Sequence, residues 1–285
     1  MLTSVLVLHH PQSEGAAVFA RQLAEELARR NVRTRVADVW SPLAAEAVPG
    51  SELIVCVGGD GTVLRAARLA IPHGVPIVGV NMGRLGFLTE LTSPELFKLL
   101  DRLVAMDWRV EERIMVAATL DNGDGSPTTL FHGLNDIVVS RNMPGRPIYV
   151  EVRIDGALLG LYRCDGIIVA TPTGSTGYSL SAGGPILPPA EHHLVLTPVS
   201  AHLALGRSLV LEQHSEVELR VTTDHHAALS VDGQEDVPVV SGGSVIVRRS
   251  DYVTRFVSFR QPESFYGELA RKLENQIGSV TNQRD

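Results

Sequence analysis

The run Leu53-Ile54-Val55-Cys56-Val57-Gly58-Gly59-Asp60-Gly61-Thr62-Val63 takes five consecutive apolar residues into three glycines set around an acid. Beyond it Val63, Ala66, Ala67 and Ala70 recur at helical spacing. The stretch therefore reads as a buried strand turning into a helix over about 63–71. Such a turn gathers backbone N–H groups at a helix N-terminus, where phosphate oxygens are well held. Glycine lets the backbone bend sharply and approach a ligand closely. Asp60 stands apart, because a carboxylate is a poor choice for holding anions. It either takes a proton from a hydroxyl or holds a metal beside phosphate, or it simply caps the helix.

On the N-terminal side, residues 2–8 read as a first strand and 15–30 as a helix with Val18, Leu23, Ala24 and Leu27 inward. Residues 32–39 alternate as a second strand, and a Pro- and Ala-rich connection leads into Leu53. On the other side, 76–80 is a further apolar strand. Strand–helix alternation predicts an α/β domain with a parallel sheet and helices on both faces. Ligands then sit beyond the carboxyl ends of the strands, where both the Asp60 loop and the loop 81–90 fall. In the latter, Phe87 either stacks on a flat ring or is tucked with Leu85 and Leu88 into the core. Ser93-Pro94-Glu95 reads as a helix start with Ser93 as N-cap, and Leu96, Leu99, Leu100 and Leu103 as its buried stripe.

From Trp108 onward the period changes to alternation. Residues 113–120, 130–139, 148–154, 159–163, 166–170, 208–211, 217–221, 228–231, 245–249 and 253–259 read as strands, with Asp155-Gly156 as a two-residue hairpin turn. A helix returns after Pro262, with Phe265, Leu269, Leu273 and Ile277 four apart. The expected organisation is an α/β domain over 1–112, completed by helix 263–278 packing back on it, and a β-rich domain over 113–261.

With 285 residues, 44% apolar and 20% charged, the chain buries a full core without staples. The net charge of −7 leaves no basic stripe for a nucleic acid. A polyanionic substrate must be held by local charges and backbone dipoles. Cys56 and Cys164 lie in apolar runs and read as buried reduced thiols, which fits a reducing cytoplasm. The apolar run 5–8 lacks a basic flank and reads as a strand, not a leader. No stretch reaches the roughly 18 apolar residues of a membrane span. The pairs His192-His193 and His225-His226 are poor chelates, since neighbours on a strand face opposite ways.

The densest polar stretch, Thr171-Pro172-Thr173-Gly174-Ser175-Thr176-Gly177-Tyr178-Ser179-Leu180-Ser181-Ala182-Gly183-Gly184-Pro185, follows the buried strand 166–170. Small hydroxyl residues and glycines wrap a polar ligand closely. No Gly-x-Gly-x-x-Gly, Walker A or nucleophile-elbow pattern occurs.

Taken in order, Gly58-Gly59-Asp60-Gly61-Thr62, Gly79-Val80-Asn81 with Leu85-Gly86-Phe87-Leu88, Leu134-Asn135-Asp136, the Thr171 to Pro185 stretch and Ser230-Val231-Asp232-Gly233-Gln234 resemble the NAD kinase family. The first motif alone also resembles diacylglycerol, sphingosine and 6-phosphofructo-kinases. The resemblance implies phosphorylation of the adenosine 2′-hydroxyl of NAD by ATP or polyphosphate, giving NADP. Asp60 then matches the catalytic acid, in the role of general base, within a phosphate loop of Gly58, Gly59 and Thr62. Gly61 matches a neighbour of the dinucleotide and Phe87 an aromatic beside adenine. Asn135 and Asp136 match the pair that hydrogen-bonds adenine and ribose, and Thr176, Gly177, Tyr178, Ser179, Leu180 and Ser181 match the enclosing loop. Asp165 matches an acid reaching the nicotinamide end, often from a neighbouring subunit, which implies a homodimer or homotetramer. Arg65, Arg146, Arg163, Ser200 and Gln234 fall where further polar contacts occur. The implied site lies between the two domains, and Mg²⁺ arrives with ATP. Three residues depart from the family pattern: Asp136 replaces a usual Glu, Gly177 a usual Ala, and no proline precedes His202. A lipid or sugar kinase, and a non-catalytic NAD sensor that kept the pocket, are the rival readings.

Overall fold

In the computed structural model of the chain, residues 1–83, 86–123, 125, 128–143, 145–201, 206–259, 265–267, 269, 270 and 272 are described. Two compact units form: Met1–Glu112 with Thr254–Asp285, and Arg113–Val253.

The first unit opens with β1 (Ser4–His9), α1 (Glu14–Ala28), β2 (Arg33–Asp38), α2 (Pro42–Ala47), β3 (Leu53–Val57), α3 (Asp60–Ala70) and β4 (Ile77–Asn81). β5 (Leu91–Thr92), α4 (Ser93–Lys98) and α5 (Leu100–Ala105) follow. The strands run parallel in the order β5-β4-β3-β1-β2, and Phe256 pairs with Ile77 beside β4. Every residue of β3 and β4 is buried, as expected for a parallel sheet covered on both faces. Phe19, Leu23 and Leu27 of α1 join Val5, Val7, Val55 and Val57 in one core cluster. On the opposite face Gly79 lies beside Cys56, and a Cβ there would meet Val63 of α3 at 3.2 Å. The absence of a side chain at Gly79 thus lets α3 settle close to the sheet at the strand ends.

Local details differ from the sequence expectation for physical reasons. The inward stripe of α1 is Ala16, Phe19, Ala20, Leu23 and Leu27, and Val18 is 39% exposed. The helix after β5 is capped by Thr92, not Ser93, because Thr92 and Glu95 satisfy each other's backbone in a capping box. That helix is two short ones, and only Leu96, Leu100 and Leu103 of its stripe are fully inside. The greater part of the expected helix 263–278 lies outside the described residues, as do Leu85 and His202. Residues 265–267, 269, 270 and 272 are helical, and the Lys272 ammonium donates to the Phe87 carbonyl at 3.2 Å, within the first unit.

The second unit is β-rich. Its strands are β6 (Arg109–Asp121), β7 (Thr129–Gly133), β8 (Asp136–Arg141), β9 (Ile148–Ile154), β10 (Ala157–Cys164) and β11 (Gly166–Ala170). A four-residue helix, α6 (Tyr178–Ser181), precedes β12 (Leu194–Val199), β13 (Leu209–Leu211), β14 (Val217–Thr222), β15 (Ala227–Val231), β16 (Glu235–Val239) and β17 (Ser244–Ser258). One antiparallel sheet runs β10-β9-β14-β17 and the other β13-β12-β11-β8-β15-β16. Alternate residues of both, among them Val139, Val150, Val169, Leu219 and Leu229, fill the core between them. Asp155 and Gly156 both take left-handed φ, 52° and 79°, the turn the hairpin β9–β10 demands.

The thiols of Cys56 and Cys164 are both free and buried, one in each unit. Burial pushes both up, Cys164 to about 12. No helix among the described residues is long and apolar enough to cross a membrane.

Candidate functional site

Asp60 is the first residue of α3, at the carboxyl end of β3, with Gly59 as N-cap and no side-chain cap bond. The carboxylate does not cap its own helix. It turns instead to the loop after β4, where Oδ2 accepts the Phe87 N–H at 2.8 Å and Oδ1 the Leu88 N–H at 3.0 Å. Gly86 makes that approach possible, because a Cβ there would collide with the Asp60 carboxylate. The loop is tied in turn by Thr89, whose hydroxyl oxygen accepts the Gly86 N–H at 3.1 Å. An acid at a parallel-sheet carboxyl edge is thus fixed in direction by two amides 27 and 28 residues away.

Beside it the surface is clear: a Cβ at Gly59 or Gly61 would meet nothing within 4 Å among the described residues. One turn further in, Thr62 Oγ1 and Arg65 Nε are buried and meet no hydrogen-bond partner among the described residues. Buried polar atoms are rarely left so without a ligand or water to complete them. Leu88 is core, as one sequence reading had it. Phe87 is half-buried, its ring under the Lys272 ammonium at 5.6 Å from the centroid.

In the second unit the chain bends at Leu134-Asn135 between β7 and β8, so the expected single strand 130–139 is two. The bend is held from two sides. On one, the Thr171 hydroxyl donates to the Leu134 carbonyl at 2.6 Å and accepts the Gly174 N–H at 3.1 Å, while Thr171 N–H donates to the Asn135 carbonyl at 2.8 Å. On the other, Asp232 accepts three successive amides, those of Leu134, Asn135 and Asp136. A cavity of about 390 Å³ opens beside the bend, lined by Asn135, Asp136, Val138, Ser140, Tyr178, Ser230, Asp232, Gly233 and Asp236. Asn135 Oδ1 is buried without a partner among the described residues.

Asp136 is 5% exposed, and its carboxyl is pushed up to about 7, first by burial and second by the charge of Asp232. The folded chain holds this proton to about pH 7, whereas an unfolded chain releases it near 3.8. Stability therefore falls as pH rises from about 4 to 7, by up to about 1.4 kcal/mol per pH unit, and this contribution is flat above. Asp136→Asn is expected to remove that slope, which urea midpoints of the two proteins measured across this range will show.

The remaining candidates divide between the cavity, the core and the surface. Tyr178 is 48% exposed on the cavity wall. Ser181 is exposed, and Gly177 and Leu180 are half-buried near it. Ser179 is fully buried with its hydroxyl 3.1 Å from that of Thr197, so it fastens the loop from inside. The Thr176 hydroxyl donates to the Thr173 carbonyl at 3.1 Å. The Asp165 carboxylate receives Arg141 Nε and Nη2 at 2.6 and 3.3 Å, a two-point ion pair within its own chain. Arg146 is exposed and donates to His225 at 3.0 Å. Arg163 and Gln234 are half-buried, and Ser200 is exposed with a left-handed φ of 50°. Gly58 and Thr62 are buried, with Gly58 against the Thr62 side chain. Sequence reasoning quoted Asp232 within a motif but gave it no part. The Asp-Gly pair after an apolar run signals a turn, and nothing local shows that its carboxylate reaches back 96 to 98 residues. Among the described residues no group of three or more His, Cys, Asp or Glu is placed to hold a metal ion.

Family models for the ATP-NAD kinase N-terminal and C-terminal domains match residues 33–108 and 134–259. The chain is 43% identical over 283 residues to the NAD kinase of Heliobacterium modesticaldum, covering 96% of this chain and 99% of that one. Against the NAD kinase of Chloroflexus aurantiacus it is 39% identical over 274 residues, with the same shares covered. Among solved structures, an NAD kinase from Archaeoglobus fulgidus in complex with ATP superimposes with a TM-score of 0.78 at 29% identity, over 96% of this chain and 99% of that one. Yeast NADH kinase complexed with NADH has the same fold, with a TM-score of 0.84 at 24% identity over 97% and 88%.

Proposed function

The chain belongs to the NAD kinase family and is a kinase of that kind, and from that premise we propose that Asp60 is the base for transfer of the terminal phosphate of ATP to the adenosine 2′-hydroxyl of NAD. One observation carries this reading: a carboxylate at the head of a helix, aimed by the Phe87 and Leu88 amides. A group so fixed cannot swing away to cap its helix or pair on the surface. The hydroxyl oxygen forms the new bond to the terminal phosphorus, the bond from that phosphorus to the bridging oxygen breaks, and ADP leaves with that electron pair. The hydroxyl proton passes to Asp60. A carboxylate is a far weaker base than a sugar alkoxide, so it does not ionise the hydroxyl beforehand. In a loose phosphoryl-transfer transition state the proton leaves late, so a well-placed weak base is enough. Positioning and charge neutralisation supply most of the rate.

Gly59, Gly61, Thr62 and Arg65 take the phosphates in this reading. The open ledge at the two glycines supports it, as do Thr62 Oγ1 and Arg65 Nε, which meet no hydrogen-bond partner among the described residues. The cavity beside Asn135, Asp136 and Tyr178 takes the adenosine. Asn135 Oδ1, without a partner among the described residues, suits an adenine amino group, and a protonated Asp136 suits a hydrogen-bond acceptor on the nucleoside. The proposal requires that both units act on one dinucleotide. It keeps the divalent cation with the triphosphate, where it offsets donor charge against a chain of net charge −7.

The test is formation of NADP from NAD and Mg-ATP, read by an NADP-specific dehydrogenase, with polyphosphate replacing ATP in a parallel arm. We expect NADP with ATP. Phosphoryl transfer to diacylglycerol or fructose 6-phosphate, with none to NAD, would overturn the reading. Tight NAD binding without turnover would point to a sensor instead.

A further inference from the structure

Asp232 opens the turn between β15 and β16 with a left-handed φ of 54°, and Gly233 continues it at 63°. A non-glycine residue in that region is uncommon and calls for a reason. Here the conformation delivers the carboxylate into a row of three amides. Oδ2 accepts Leu134 N–H at 2.9 Å, and Oδ1 accepts Asn135 N–H at 2.7 Å and Asp136 N–H at 3.1 Å. The contact is returned by the backbone, since Asp232 N–H donates to the Asp136 carbonyl at 3.1 Å. Gly133 leaves the space for it, because a Cβ there would stand 3.0 Å from Asp232 Oδ1.

Three consecutive N–H groups pointing at one oxygen pair form a nest of the kind that binds anions. The chain fills this nest with its own carboxylate. The Thr171 and Gly174 bonds hold the opposite side of the bend, so Asn135 and Asp136 are presented from a backbone clamped twice. Both side chains line the cavity together with Asp232 itself.

We propose that Asp232 is a positioning residue for the adenosine end of the dinucleotide, fixing the Leu134–Asp136 backbone so that the Asn135 and Asp136 side chains meet the nucleoside together. The inference rests on the reading that this cavity takes the adenosine of NAD. Asp232 acts only through the bend and has no part in the phosphoryl transfer. Its removal therefore weakens capture of NAD and leaves the chemical step and the donor site in place. Charge-assisted bonds to three amides are stronger than neutral ones. Asparagine keeps an oxygen for the Asn135 and Asp136 amides but sets an NH₂ against that of Leu134, so it restores only part of the clamp.

The test is steady-state kinetics on the full chain carrying Asp232→Ala or Asp232→Asn, with NAD and AMP binding measured by calorimetry and amide exchange followed by NMR. For Asp232→Ala we expect KM for NAD to rise at least tenfold, kcat and KM for ATP to stay within threefold, and AMP binding to weaken in parallel with NAD. Leu134, Asn135 and Asp136 amides should lose protection while those of residues 137–141 in β8 and of β15 keep theirs. Asp232→Asn should fall between parent and Ala in both readouts. If Asp232→Ala does not fold, the Asn variant decides: parental KM for NAD together with parental amide protection overturns the proposal. An equal fall in kcat with no change in KM overturns it too. If the parent itself binds neither NAD nor AMP, the adenosine reading of the cavity fails; if the parent binds them and the Ala variant binds as tightly, only the role of Asp232 fails.

Discussion

Asp60→Asn is expected to lower kcat for NADP formation by about 10²- to 10⁴-fold, the usual worth of a positioned general base, with KM for NAD nearly unchanged. The substitution keeps size and shape but removes the site that receives the hydroxyl proton. It also disturbs the loop that aims the acid. The carboxylate offers one oxygen to Phe87 N–H and the other to Leu88 N–H, and an amide can serve only one of them. Its NH₂ faces the second donor, at a cost of about 1–3 kcal/mol. Thermal unfolding should therefore show a modestly less stable but cooperative protein that still binds NAD by calorimetry. Turnover within tenfold of the parent would remove Asp60 as the base.

Gly174→Ala is expected to be the most damaging small change in the second unit. A Cβ at this position would come within 2.5 Å of the Asn135 carbonyl carbon and 2.8 Å of its Cα, closer still to its oxygen. All three atoms are backbone, so no side chain can swing aside. Either the Thr171–Gly174 bend opens or the Asn135 bend moves, and both carry the cavity wall. Overpacking of a tight site costs about 1–3 kcal/mol even where neighbours yield, so a loss of about 3 kcal/mol is expected, with KM for NAD raised more than tenfold. Gly177→Ala is the contrast. Its added methyl would lie 3.3 Å from the Gly174 carbonyl and 3.7 Å from Asn135 Nδ2, a tight but bearable fit. Urea midpoints and NAD titrations of the two variants will separate the effects; parental values for Gly174→Ala would refute the clamp at this bend.

Patterns with a strict period are legible in the sequence itself. The apolar run into Gly58, the helix expected over about 63–71 and the Asp155-Gly156 hairpin each depend on neighbours in sequence, although that helix begins at Asp60. Elements that break their own local rule are not. β12 holds Pro198 and does not read as a strand, yet β13 pairs only with its residues 194–196, so that proline lacks no partner on the open side. β16 holds Pro238 on an edge strand. α2 is a six-residue helix that reads as a connection. Residues 245–249 and 253–259 read as two strands because Ser250 and Asp251 interrupt the apolar alternation, but backbone pairing carries β17 through as one. The candidate site divides the same way. Sequence pattern picked out Asp60 and the stretch that holds Tyr178, and the resemblance to the NAD kinase family added Asn135 and Asp136. Neither revealed that Phe87 and Leu88 aim Asp60 or that Asp232 clamps the bend, since both depend on contacts between residues far apart in the chain.

The two buried thiols give the molecule a pair of independent clocks. Cys56 belongs to the parallel sheet of one unit and Cys164 to the β-rich unit. With Cys164 pushed up to about 12 and Cys56 higher, neither is meaningfully a thiolate at neutral pH, and neither is open to an electrophile while its strand is in place. Alkylation must therefore wait for the surrounding strands to separate. The labelling rate at each thiol then reports the opening free energy of its own unit. Bound NAD, or a weakened bend at Asn135, should slow or hasten the two clocks to different extents.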